Sequence, residues 1–145
     1  MNANRTLQIL MGLVAAAHLV IGVALNFGGT GMIESVAGLY GADVETWSPQ
    51  FLYIVKPLGA FMFALGIVGA VAASNPRKHL LVIYGFSILF LLRALQRLAF
   101  GQDILDTFGI GAGRNIGNAI FFAAYAVAMI VYARKVSTPS SEATA

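Results

Sequence analysis

Four apolar runs, at 6–26, 51–73, 79–100 and 115–133, constrain this chain more than any other feature. A helix rises about 1.5 Å per residue, so roughly 20 apolar residues cover the hydrocarbon core of a bilayer. The chain has 145 residues, of which 59% are hydrophobic and 10% charged. Soluble domains carry about 45–50% apolar and about 25% charged residues, so lipid is the expected solvent. The expected fold is all-α: a four-transmembrane-helix bundle forming a single polytopic membrane domain over 1–136, with a small polar, disordered tail at 137–145. Arg5 ahead of an apolar run and Ala15-Ala16-Ala17 also fit a signal peptide, but apolar sequence continues through Val20, Ile21 and Val23, which favours a retained span.

Local signals divide the chain further. Asn4 is placed to cap the first span, which then presents Gln8, Met11, Ala15, His18, Gly22 and Leu25 on one face. In lipid a small or polar stripe marks the seam between helices, so His18 is expected to point inward. Between the first two spans, MIESVAGLYG places Met32, Ile33, Val36, Leu39 and Tyr40 on one face, as a short interfacial helix ending at Gly41 does. Ser48-Pro49 is a cap followed by proline at the first helical position, with Trp47 at interfacial height. Asn75-Pro76 repeats the device, implying a tight turn that makes the second and third spans antiparallel neighbours. Residues 102–113 read as a polar loop.

Charge bias orients the bundle. Arg5, Arg77–Lys78 and Arg134–Lys135 fall on one side of the four spans, while Glu34, Asp43, Glu45, Asp103 and Asp106 fall on the other. The positive-inside rule then puts both termini in the cytoplasm and the two longer loops outside, in a multi-pass membrane protein. The nine Lys and Arg are scattered rather than clustered, so nucleic acid is not an expected partner. Cysteine is absent, which excludes disulfides, thiol chemistry and cysteine-ligated metal centres. No internal repeat is evident, so any duplication has to come from a homo-oligomer or a membrane complex.

The candidate site lies toward the outer end of the spans. Counted at about 1.5 Å per residue, Lys56 and Arg93 share a depth of roughly 8–10 Å, His18 lies about 12 Å deep and Asn118 about 5 Å deep. Arg93, Gln96 and Arg97 share one face of the third span, and Arg114, Asn115 and Asn118 cluster on the fourth. A cation in the membrane costs about 2.5–3.5 kcal/mol at the centre and less near an end, so these groups call for a negative partner. None of the four runs contains Asp or Glu. The partner is therefore a loop acid (Glu34, Asp43, Glu45, Asp103 or Asp106) or a bound anion such as a lipid phosphate or an acidic small molecule. Snorkelling of Lys56 and Arg97 and ordinary ion pairing at the span ends are the plainer alternatives.

Other features carry less. His79 begins the third span on the opposite side from His18, so a bis-histidine haem does not fit, and a lone inward histidine is commonly a packing residue. Gly59, Gly66, Gly69 and Ala70, with Gly12-x-x-x-Ala16, read as small-residue seams. Phe61, Phe63, Phe121, Phe122, Tyr125 and Tyr132 fit bundle core or lipid face, or the lining of a ring-binding pocket. No nucleophile–base pair, metal-ligand cluster or phosphate loop is present, and GIGAGRNIG precedes a span rather than following a buried strand.

LYGADVETWSPQ, then YIVKPLGAFMFALG, then LLRALQRLAFGQD together resemble the DoxX-like and BphX-like small four-helix bacterial membrane proteins. The resemblance implies four spans in a bacterial inner membrane. Some DoxX relatives are associated with quinone-linked sulfur oxidation and others with redox-stress complexes, and a mechanism that uses thiols does not carry over to a chain without cysteine. The reading that follows is a non-catalytic binding or accessory subunit, with an outward-facing cationic pocket around Lys56, Arg93, Gln96, Arg97, Asn118 and His18 for an anionic headgroup or small molecule. A quinone-reactive subunit of a redox system is the alternative. A small oligomeric transporter comes third, because it needs a membrane carboxylate or a coupling-ion site.

Overall fold

The computed structural model describes residues 2–43 and 46–137. Helices fill most of them: α1 (Ala3–Phe27), α2 (Thr30–Leu39), α3 (Pro49–Ser74), α4 (Leu80–Ala99), α5 (Gly101–Phe108) and α6 (Ala112–Ser137), with no strand among the described residues. Four of them, α1, α3, α4 and α6, are long and apolar enough to cross a membrane. The chain is thus a small multi-pass membrane protein whose outward faces suit lipid.

The helix ends follow from local chemistry. Asn2, not Asn4, caps α1: its side chain accepts from the Arg5 backbone N–H at 2.9 Å. Ser48 caps α3 by accepting from the Phe51 N–H at 3.2 Å, with Pro49 in the first turn. Pro57 lies inside α3, where its missing N–H and ring remove one backbone bond, as membrane helices tolerate. Asn75-Pro76 does not open α4. Lys78 N–H bonds the Asn75 carbonyl at 3.1 Å and His79 N–H the Pro76 carbonyl at 3.1 Å, so these residues form a turn and α4 begins at Leu80. The segment expected as a polar loop contains α5, which Phe100 separates from α4 by a bend and which Gly109 ends in the left-handed region at φ 66°. Helix α6 runs through Ser137, and the rest of the expected tail lies outside the described residues.

The close pairings are of the first span with the second and of the third with the fourth, rather than of the second with the third, the pair expected as neighbours. Helix α3 packs chiefly on α1 and α4 on α6, α1 also touches α6, and α3 meets α4 only lightly. Glycines explain the first pair. A Cβ built on Gly22 would lie 2.5 Å from Phe63 N, one on Gly59 2.5 Å from Asn26 N and one on Gly66 2.8 Å from Leu19 N. Backbones that close cannot accept a larger residue, and Ala15 against Gly69 continues the line. Gly59, Gly66 and Gly69 thus lie in the seam as expected, whereas Gly12 faces open space and Ala16 and Ala70 are exposed.

The stripe on α1 is buried at Met11, Ala15, His18, Gly22 and Leu25, while Gln8 is half-buried. The main core joins α1, α4 and α6 through Leu7, Met11, Val14, Ile83, Phe86, Phe90, Phe122, Ala126 and Met129. A second cluster, Leu25, Ile33 and Val55, holds α2 against the ends of α1 and α3.

Candidate functional site

Arg93 and Arg97 leave α4 one turn apart and reach the same two rings. The Arg93 guanidinium carbon lies 4.8 Å from the Phe122 centroid and 5.7 Å from that of Tyr40. For Arg97 the distances are 5.9 and 5.7 Å. Each cation thus sits against π faces, an interaction worth about 0.5–2 kcal/mol and stronger as water is excluded. Arg93 Nη2 also donates to Tyr40 Oη at 3.3 Å, and Arg97 Nη1 to Asn115 Oδ1 at 2.9 Å.

The end of α2 is fixed by α6. Arg114 Nη2 donates to the Leu39 carbonyl at 3.0 Å and Asn118 Nδ2 to the Tyr40 carbonyl at 3.3 Å, satisfying acceptors that a helix C-terminus leaves open. Gly41, at φ 88°, then turns the chain away. Further along, Asp43 N–H bonds the Phe108 carbonyl at 2.8 Å, tying this loop to the end of α5. Trp47 stacks on Phe51 at 4.7 Å, and Phe108 completes the aromatic group at 6.5 Å from Trp47 and 6.1 Å from Phe51.

Two chambers meet at Arg93 and Tyr40. The outer one, about 310 Å³, is lined by Tyr40, Trp47, Phe51, Arg93, Gln96 and Arg97 and floored by Ile104, Phe108 and Ile110. The inner one, about 340 Å³, is lined by His18, Met62, Phe90, Phe122 and Tyr125 as well as the shared pair. A third, about 360 Å³ and apolar apart from the same pair, runs beside α3 past Leu58, Phe61 and Leu65.

Two polar atoms at these chambers lack partners. The indole N–H of Trp47 and Nε2 of His18 are both buried with no hydrogen bond among the described residues. Such a group forfeits about 1–3 kcal/mol unless something outside the chain meets it. Each arginine guanidinium has five N–H groups, and among the described residues one hydrogen bond engages each guanidinium.

The described loop acids do not pair with the arginines. Glu34 is exposed on α2, Asp103 and Asp106 are exposed on α5, and Asp106 accepts instead from Gln102 Nε2 at 2.8 Å. Asp43 is exposed, and Glu45 lies outside the described residues. Among the described residues no carboxylate forms an ion pair with Arg93 or Arg97, and no group of three or more His, Asp or Glu could hold a metal.

The structure brings together Arg93, Gln96 and Arg97 at the outer chamber, with His18 behind Arg93 and Asn118 behind Tyr40. It does not bring Lys56 to them, because that residue is on the exposed face of α3, next to buried Val55, and lines none of these chambers. Tyr40, Trp47, Phe51 and Phe108 are the residues that sequence reasoning did not assign to the site. Tyr40 carried a signal: a phenol closing an apolar helix face brings a polar tip that needs a partner. Comparison with protein-family models, curated proteins and solved structures found no match for this chain.

Proposed function

We propose that this membrane protein is a non-catalytic binding or accessory subunit that holds an anionic group, from a lipid headgroup or a small acidic molecule, in the chamber between Arg93, Arg97 and Trp47. One observation carries the reading: the chamber gathers two guanidinium groups and an unpartnered indole N–H, while no carboxylate among the described residues meets the arginines. Donors in a half-open, apolar-walled site favour a ligand rich in acceptor oxygens, and a planar guanidinium suits phosphate or carboxylate. Gln96 contributes a neutral amide at the rim.

The orientation belongs to the same proposal: both termini cytoplasmic, the chamber extracytoplasmic, and α2 at the interface with Met32 and Leu39 exposed on its apolar side. The likeness to DoxX-like proteins is consistent with an accessory role beside a larger partner.

Native mass spectrometry from bilayers of defined lipid tests the proposal. Wild type is expected to retain phosphatidylglycerol over phosphatidylcholine, and an Arg93→Gln/Arg97→Gln variant to lose that preference. Competition by inorganic phosphate separates a headgroup site from a site for free anions. Equal retention by wild type and the double variant overturns the proposal.

A quinone-reactive subunit is the second reading, favoured by the aromatic inner chamber, where Arg93 can donate to a ring carbonyl. Quinone recovered from purified protein, and lost with Arg93→Gln, would establish it.

A further inference from the structure

The inner chamber differs in chemistry from the outer one, and the difference starts at His18. Its Nδ1 lies 2.8 Å from the Val14 carbonyl oxygen. A carbonyl can only accept, so Nδ1 carries the proton, and Nε2 of the neutral ring carries a lone pair. The Phe86 and Phe90 rings stand edge-on to the imidazole at 5.6 and 6.3 Å and hold its plane. His18 is 3% exposed, and Nε2, nearly closed off by the flanking rings, has no partner among the described residues, so a donor in the chamber reaches it by a small displacement of those rings.

The rest of the lining narrows what that lone pair can meet. Tyr125 has spent its hydroxyl proton on the Leu10 carbonyl at 2.7 Å, and Arg93 offers only donors. An anion would confront the lone pair of Nε2. A cationic amine would confront the charge of Arg93 in the same chamber. A metal ion would find a single imidazole and no further cluster among the described residues. One water, at about 30 Å³, would leave most of the apolar chamber empty. A neutral hydroxyl on an apolar ring satisfies every term, because Phe90, Phe122 and Tyr125 supply faces for the ring. The chamber reaches the lipid side between α1 and α6, where the lining residues Leu13, Ala17 and Phe121 are exposed.

We propose that the chamber around His18 is a second binding site, for a hydroxylated aromatic molecule that enters from the bilayer and donates its O–H to His18 Nε2. It does not depend on the anion site. A quinone carbonyl, itself an acceptor, gains nothing from Nε2 and can bond only Arg93 in this chamber, so the His18 contact favours phenols and quinols over quinones.

The test uses the full chain in phosphatidylcholine nanodiscs, labelled with ¹⁵N-histidine and carrying His79→Gln so that His18 gives the only side-chain signals. The ligand-free protein is expected to show a protonated Nδ1 and an unprotonated Nε2. Added 2-naphthol should move the Nε2 resonance saturably toward the protonated position, and 2-methoxynaphthalene, which has nearly the same shape but no donor, should not. His18→Phe should weaken 2-naphthol about 10-fold relative to the ether, the scale of one hydrogen bond, while helix content by circular dichroism stays at the wild-type level. The inference is overturned if neither compound moves the signal, if both move it alike, or if Nε2 is protonated before ligand is added.

Discussion

Arg97 and Asn115 bond each other twice: the guanidinium donates to Oδ1 at 2.9 Å, and Asn115 Nδ2 donates to the Arg97 backbone carbonyl at 2.7 Å. Asn115 is 4% exposed, so this clasp between α4 and α6 is nearly dry. It supplies an amide where a carboxylate would have neutralised the cation.

Asn115→Ala should therefore destabilise the fold by about 1–3 kcal/mol, since it strands both the guanidinium and a helix carbonyl. Asn115→Asp is the sharper variant. It loses the amide donor to the Arg97 carbonyl but gains a charge partner for the guanidinium, so it is expected to destabilise less than Asn115→Ala and to cut phosphatidylglycerol retention, because Arg97 acquires a counter-charge inside the chain. Thermal unfolding in detergent and native mass spectrometry read the two effects separately.

Tyr40 and Arg93 should be energetically coupled. A double-mutant cycle of Tyr40→Ala with Arg93→Ala is expected to give about 0.5–2 kcal/mol, covering the π contact and the 3.3 Å bond. Tyr40→Phe should keep most of it, because the ring face remains. A coupling near zero would show that the two side chains are adjacent without interacting.

Lys56→Ala removes the same charge as Arg93→Gln, but from the exposed face of α3. Anionic lipid retention should stay at the wild-type level in this variant. A loss equal to that of Arg93→Gln would place the site on the other side of α3.

In the seam between α1 and α3, Gly22→Val should destabilise by at least about 1–3 kcal/mol, because a Cβ there overlaps backbone of Phe63. Gly12→Ala, in open space on the same helix, should be neutral or gain up to about 1 kcal/mol of helix propensity. Unfolding by graded SDS distinguishes them.

Because the chain has no cysteine, each introduced thiol is unique. A membrane-impermeant maleimide added to intact cells should label Gln102→Cys and spare Lys78→Cys. The opposite pattern would invert the proposed orientation.

The sequence made the four spans legible because hydropathy over about 20 residues is a property of each run by itself. The buried face of α1 was legible for the same reason. Which helix pairs with which was not, since the choice rests on how closely Gly22 and Gly59 let two backbones approach, a relation between runs. Helix α5 was missed because Gly101, Gly109, Gly111 and Gly113 and the two aspartates read as a loop, although Ile104, Leu105 and Phe108 share one helical face. At the site, the arginines announced themselves by charge in an apolar run, while their partners did not. Tyr40 precedes Arg93 by 53 residues, and only the fold brings an aromatic face to the cation.

The unequal packing has a consequence for the order in which this protein is made. The ribosome completes α3 before α4 exists, and the tightest helix–helix backbone contacts among the described residues, those of Gly22, Gly59 and Gly66, need nothing that comes later. The first two spans can therefore settle as a hairpin while the second pair is still unmade. Both chambers, which need residues from α4, can exist only once synthesis has passed Arg97.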